Sequence, residues 1–347
     1  MKSQNSLYNR LAIETKIDYG FVFWHTSKIR HLSRSHFPAY QGNILYYTAG
    51  NDEWTYLYKC PTIGLSYYYT DLGNNKILGK AGGIMPLIYF PLLTGKHTKF
   101  NFRTGLGLGY VSNPFNRLTN NKDDAIGSYW NIEASIGYDL RWEIGKHLTL
   151  LTSLDFTHFS NGGFKMPNYG LNIPSIGGGI AYKLNRNEII KGHDKLFPDF
   201  DRKINYLVIG TFSYTETGRP NGDKFYGYSL SINANKRFCY KHDFGVSLDL
   251  FYNTSNLFRL SQDSIKVDHN WEIVRPGIGL THNFIFSRIS FLTEMGYYLY
   301  TKDVSDGSFY HRLGFRYLIG KHFISNLTLK THFAKAEGVE FGMGYKF

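Results

Sequence analysis

Apolar and polar residues alternate with a period of two along most of this chain, which commits it to long β-strands with one greasy and one wet face. Over 226–237 the even positions are Tyr226, Tyr228, Leu230, Ile232 and Ala234, while Gly227, Ser229, Ser231, Asn233, Asn235 and Arg237 hold the odd ones. In 242–253, Phe244, Val246, Leu248 and Leu250 alternate with Asp243, Gly245, Ser247 and Asp249. At the C-terminus Val339, Phe341, Met343, Tyr345 and Phe347 alternate with Glu340, Gly342, Gly344 and Lys346. Helical periodicity is nearly absent, and the abundance of Tyr (28), Phe (27) and Gly (36) suits strands rather than helices.

A soluble sandwich also alternates inside and out. Three features point instead to a membrane barrel. The alternating segments run to about 10–14 residues, the length of a tilted membrane crossing, whereas globular strands are typically about 5 or 6. Tight connections at Gly145-Lys146, Ser287-Arg288 and Gly320-Lys321 are separated by long polar ones at 112–126, 161–171 and 255–272, matching the short periplasmic turns and long outer loops of bacterial barrels. The last strand is aromatic-rich and ends in Phe347, resembling the C-terminal signal read by the outer-membrane barrel assembly machinery. No apolar run approaches the roughly 18 residues of a transmembrane helix, so a membrane-spanning form of this chain is a barrel.

The expected fold is therefore all-β: an antiparallel transmembrane outer-membrane β-barrel of about sixteen strands, within a range of roughly 14–16. Residues 1–185 would form the half that carries the candidate site and 204–347 the second half. The charged segment 186–203 between them reads as a periplasmic connection or a small plug. One enlarged barrel is preferred over two separate ones, because a second closure would leave two barrels tethered side by side. The opening MKSQNSLYNR has no signal-peptide pattern, so a mature chain whose export signal has been removed is expected.

The net charge of +12 comes from dispersed Lys and Arg with no basic helix or RNA-binding signature. An anionic membrane surface, not nucleic acid, is the expected partner. Cys60 and Cys239 belong to no metal-spacing motif. Tyr67–Tyr69, Tyr46-Tyr47 and Tyr297-Tyr298 fit interfacial aromatic girdles or ordinary packing.

Chemistry concentrates in 147–184, HLTLLTSLDFTHFSNGGFKMPNYGLNIPSIGGGIAYKL. Its first strand places Leu148, Leu150, Leu154 and Phe156 on the even, lipid-facing side. Continuing that parity puts His158 and Ser160 on the same side, where polar groups are costly unless paired. Residues two apart on a strand share a face, so His158 can act as general base toward a Ser160 nucleophile. A hairpin symmetric about residue 165 sets Asn172 beside His158, where its amide oxygen would hold the imidazole in the tautomer that offers Ser160 a free nitrogen. Asn161, Gly162 and Gly163 follow at once, and small residues there let backbone N–H groups approach an oxyanion.

The run HFSNGGFKMPNYGLN resembles the signature of PagL-type lipid A 3-O-deacylases, a His-x-Ser-Asn motif followed by Pro-Asn-x-Gly. The resemblance implies that His158 is the base, that Ser160 is the nucleophile, and that Asn161 and Asn168 are motif asparagines. It further implies an outer-membrane barrel that removes the ester-linked 3-acyl chain of lipid A. Two departures stand out. Asn172 occupies the place of the family's acidic triad member, so orientation of the histidine is kept while charge stabilisation of the imidazolium is not. The family's enzymes are also small eight-stranded barrels, so the resemblance reaches only about residues 11–185. A Ser-His-Asn set also resembles outer-membrane phospholipase A, which requires calcium. The preferred reading needs no cofactor or metal, and calcium enters only with the phospholipase reading. Non-enzymatic alternatives are a scaffold or a transport barrel with Asp139, Arg141, Asp155, Arg237, Asp249 and Arg275 facing the lumen.

Overall fold

The structure, a computed structural model, describes residues 10–185, 199–217, 219–333 and 335–347. The expected connection at 186–203 lies largely outside them. Sixteen strands form, all antiparallel. The first set is β1 (Leu11–Phe21), β2 (His36–Tyr47), β3 (Thr62–Asp71), β4 (Lys80–Thr94), β5 (Thr98–Val111), β6 (Trp130–Ile144), β7 (Leu148–Ser160) and β8 (Leu171–Lys183). The second is β9 (Ile204–Glu216), β10 (Lys224–Cys239), β11 (His242–Asn253), β12 (Val274–Phe286), β13 (Ile289–Tyr298), β14 (Phe309–Ile319), β15 (Phe323–His332) and β16 (Lys335–Lys346).

The expectation of one enlarged barrel is corrected here: the sixteen strands close as two separate barrels of eight. β1 pairs with β8 from Ala12↔Lys183 to Gly20↔Ser175, and β9 pairs with both β10 and β16. Each closure satisfies the free N–H and C=O groups of its terminal strands, so the first barrel has no open edge left to receive β9.

Strand parity gives each wall its two faces. In β7, Leu150, Leu154 and Phe156 are exposed on the outer wall while Thr149, Ser153, Asp155 and Thr157 point inward; Leu154 is 60% exposed and Ser153 5%. The tyrosine clusters divide the same way, Tyr67 being 56% exposed and its neighbour Tyr68 3%. Tight turns sit where expected, with Gly145, Ser287 and Gly320 all in the left-handed region.

Each lumen is filled by side chains, as eight strands require. In the first barrel Asp155 meets both Lys16 and Arg103, while Arg141 pairs with Glu14 at 2.7 Å and with Asp139. In the second, Arg312 is the hub, reaching Asp249 at 2.9 Å and Glu340 at 3.0 Å.

The long-loop end of the first barrel holds a buried apolar cluster that includes Val22, Phe37, Val111, Phe159, Leu171 and Ile173. Phe159, Leu171 and Ile173 flank the candidate site residues in sequence. Their inward anchorage fixes the neighbouring positions on the opposite face.

Candidate active site

The hairpin β7–β8 brings His158 directly opposite Asn172, and Ser160 lies two residues further on the same outward face, opposite Ile132 of β6. His158 Nδ1 lies 2.7 Å from Asn172 Oδ1. A carbonyl oxygen only accepts, so Nδ1 carries the proton and Nε2 keeps its lone pair, the tautomer a general base needs. Among the described residues Ser160 Oγ has no hydrogen-bond partner. Serine–imidazole hydrogen bonds of this type commonly tighten only when substrate seats.

Asn172 is 9% exposed, because the chain following β1 crosses over it. The Phe23 N–H donates to the Asn172 carbonyl at 2.7 Å, and His25 Nδ1 lies 3.0 Å from Asn172 Nδ2. His25 is the residue that the sequence reading missed. The odd positions of β1 face outward, as Ile13, Ile17 and Tyr19 do. Extending that parity past the strand's end would have placed Phe23 and His25 on the wall that carries His158.

The turn after Ser160 is only partly the expected oxyanion cradle. Gly162 and Gly163 have φ of +65° and +88°, conformations that suit glycine. The Asn161 N–H, however, already donates to Asn168 Oδ1 at 3.0 Å, and Asn161 Nδ2 donates to Ser128 Oγ at 2.8 Å. The two motif asparagines therefore brace the loop. Asn168 also forms an isolated β-bridge with Ile126, and the Gly170 N–H donates to the Ala125 carbonyl at 2.9 Å.

Gly170 has φ of +79°, and a Cβ there would lie 2.6 Å from His158 Cε1 and 3.2 Å from the Phe159 carbonyl. Gly170→Ala is expected to push the imidazole off its line to Ser160. A misplacement of about 1 Å costs on the order of 100-fold in rate. The check is kcat of a variant whose heat-dependent gel mobility still reports a folded barrel; unchanged kcat would mean that Gly170 does not set the ring's position.

The loop 112–129 leans on this hairpin through Ala125 and Ile126, and within it Asp123 is buried. One Asp123 oxygen accepts from the Ala125 N–H at 2.9 Å and the other has no partner among the described residues. Burial pushes the Asp123 carboxyl up to about 7, against the opposing pull of the Ala125 and Ile126 donors. Below its ordinary value of 3.8 the group is protonated in the folded and unfolded chain alike. From there to about 7 only the unfolded chain ionises, so the folded loop loses stability as pH rises and levels off above that point. Protection of the Ala125 and Ile126 amides against exchange should fall across this window and stay flat in Asp123→Asn. A flat wild-type profile would refute the assignment.

Two family models match the chain. The lipid A 3-O-deacylase (PagL) model matches residues 40–181. A second, described as the acyloxyacyl hydrolase C-terminal domain, matches 203–347. The chain belongs to the PagL family. PagL enzymes are lipid A 3-O-deacylases, so this is an ester-hydrolysing outer-membrane protein, and its second barrel coincides with the family's C-terminal domain.

Among solved structures, the chain is similar to the outer-membrane enzyme PagL, with 17% identity and a TM-score of 0.33 over 48% of this chain and 97% of that one. It is also similar to Neisserial surface protein A, with 11% identity and a TM-score of 0.35 over 50% and 96%. A porin from Rhodopseudomonas blastica matches at 10% identity and a TM-score of 0.18 over 97% and 99%. No curated protein matches the chain. Among the described residues no group of three or more His, Cys, Asp or Glu side chains is placed to hold a metal ion.

Proposed function

We propose that this PagL-family chain removes the ester-linked 3-acyl chain of lipid A at the outer wall of its first barrel, through Ser160, His158 and Asn172. The observation that carries the reading is the 2.7 Å contact from His158 Nδ1 to Asn172 Oδ1, on the same face of β7 as Ser160. A polar trio on a wall otherwise made of Leu150, Leu154, Phe156 and Ile176 has no packing role in hydrocarbon.

In the proposed reaction His158 Nε2 takes the Ser160 proton as Oγ attacks the ester carbonyl. The tetrahedral intermediate places its oxyanion near the turn after Ser160. With the Asn161 N–H held by Asn168, the Gly162 N–H is the proposed oxyanion donor, and Gly163 shapes the turn. His158 then returns the proton to the departing 3-hydroxyl, leaving an acyl group on Ser160. Water, activated by the same imidazole, releases the fatty acid and restores the serine. Asn172 orients His158 throughout but adds no charge to stabilise the imidazolium, so turnover should be slower than with a carboxylate at this position. The reaction as proposed uses no metal. The side chains filling the first lumen, including the Lys16, Arg103 and Asp155 cluster, weigh against transport through that barrel.

The Ser-His-Asn set also supports a phospholipase reading, and one experiment separates the two. Lipid A and phospholipids are compared by mass spectrometry in cells making wild type or Ser160→Ala, with calcium present or chelated. Loss of one ester-linked acyl chain from lipid A, dependent on Ser160 and indifferent to calcium, is expected. Ser160-dependent lysophospholipid would transfer the proposal to phospholipids. Unchanged lipids with an assembled barrel would refute both lipid A and phospholipid as substrates of the Ser160 site.

A further inference from the structure

We infer that His25 is a positioning residue of the proposed site: it fixes which way round the Asn172 amide sits, and so which tautomer of His158 faces Ser160. The inference rests on the triad reading above and deepens it.

An asparagine amide has a donor end and an acceptor end, unlike a carboxylate. With Oδ1 toward His158, Nδ1 must carry the imidazole proton and Nε2 is free to take one from Ser160. Turned over, the amide would present Nδ2 to His158. Nδ1 would then have to accept, the proton would move to Nε2, and the base would be lost. The other end of the amide therefore decides whether the site works, and His25 occupies that end. Its Nδ1 lies 3.0 Å from Asn172 Nδ2, and with its ring proton on Nε2 it accepts from that amide nitrogen. The flipped amide would set its oxygen against the Nδ1 lone pair, so a reversal costs a tautomer change at His25 as well as at His158.

The contact is anchored by backbone. Phe23, two residues before His25, donates its N–H to the Asn172 carbonyl at 2.7 Å. The same residue is thus gripped through its main chain by Phe23 and through its amide by His25. A carboxylate at 172 would accept from either side and need no such partner, so the dependence on His25 follows from the asparagine in this chain.

The first readout does not depend on turnover. Protein with 15N-labelled histidine side chains, folded in detergent micelles, reports the tautomer of His158 through its two ring-nitrogen shifts. Wild type should show the Nδ1–H form, and His25→Ala should show a substantial share of Nε2–H. His25→Asn, whose Oδ1 branches from the same Cγ position as the lost Nδ1, should restore the wild-type pattern. In an Asn172→Glu background, His25→Ala should leave the Nδ1–H form intact.

The second readout is kcat and KM on lipid A in micelles. His25→Ala should lower kcat on the order of tenfold with KM unchanged, the scale expected of one lost orienting hydrogen bond. In the Asn172→Glu background the same substitution should leave kcat where Asn172→Glu alone puts it. An unaltered His158 tautomer in His25→Ala would overturn the inference, as would an equal loss of kcat in both backgrounds. If wild type shows no Ser160-dependent hydrolysis, the triad reading fails and the tautomer measurement still decides the role of His25.

Discussion

Ser160→Ala and His158→Ala should each lower kcat on lipid A by about 10⁴–10⁶-fold, and the double variant should lose no more than either single one. The two side chains act as one device: without the imidazole the hydroxyl is not deprotonated, and without the hydroxyl the imidazole has nothing to activate. Their placement makes this testable with little structural confusion. Both sit on the outward face at the end of β7, while the neighbouring Thr157 and Phe159 point inward and hold the strand. Neither substitution removes a lumen ion pair or a ladder hydrogen bond, so heat-dependent mobility should match wild type. Losses that multiply in the double variant would mean that Ser160 and His158 serve separate steps, and retained activity in Ser160→Ala would remove it as nucleophile.

Arg312→Met should destabilise the second barrel by about 3–5 kcal/mol, the cost of removing one partner from a buried ionic group. Arg312 donates to Ser231 and Ser229, each at 2.7 Å, and to Asp249 and Glu340, with Glu294 at 3.7 Å. Methionine fills much of the same volume but leaves three carboxylates facing one another in a closed lumen. Adding Asp249→Asn and Glu340→Gln should recover part of the loss. Urea unfolding of the refolded protein in detergent, followed by the gel mobility of the second barrel, gives the measurement. A midpoint equal to wild type would show that the hub contributes nothing net. Hydrolysis by the first barrel should persist in this variant, because every ladder partner of β1–β8 lies within that set.

Much of the architecture was legible because parity is a local property. A strand such as β7 declares its lipid face by itself, and the symmetric hairpin sets His158 against Asn172, only fourteen positions away. Closure is not local. Nothing in the alternation of β8 says that its free edge will meet β1 rather than β9, which is why one large barrel seemed the simpler outcome and two of eight form. The same limit hid His25, whose contact with Asn172 crosses 147 positions of sequence. It also hid the engagement of the Asn161 N–H by Asn168, since small residues after a serine fit an oxyanion turn whether or not each N–H is still available.

The seam between β1 and β8 gives this geometry a temporal meaning. Ser160 and His158 lie on one strand, but the segment carrying Phe23 and His25 continues from β1, and Asn172 begins β8. The segment with Phe23 and His25 reaches Asn172 where the first and last strands of the barrel pair, from Ala12 opposite Lys183 to Gly20 opposite Ser175. The β7–β8 hairpin alone can set His158 against Asn172, but the far end of the Asn172 amide gains its partner only from the chain that follows β1. The proposed base and the contact that orients it are thus assembled together only in the closed barrel.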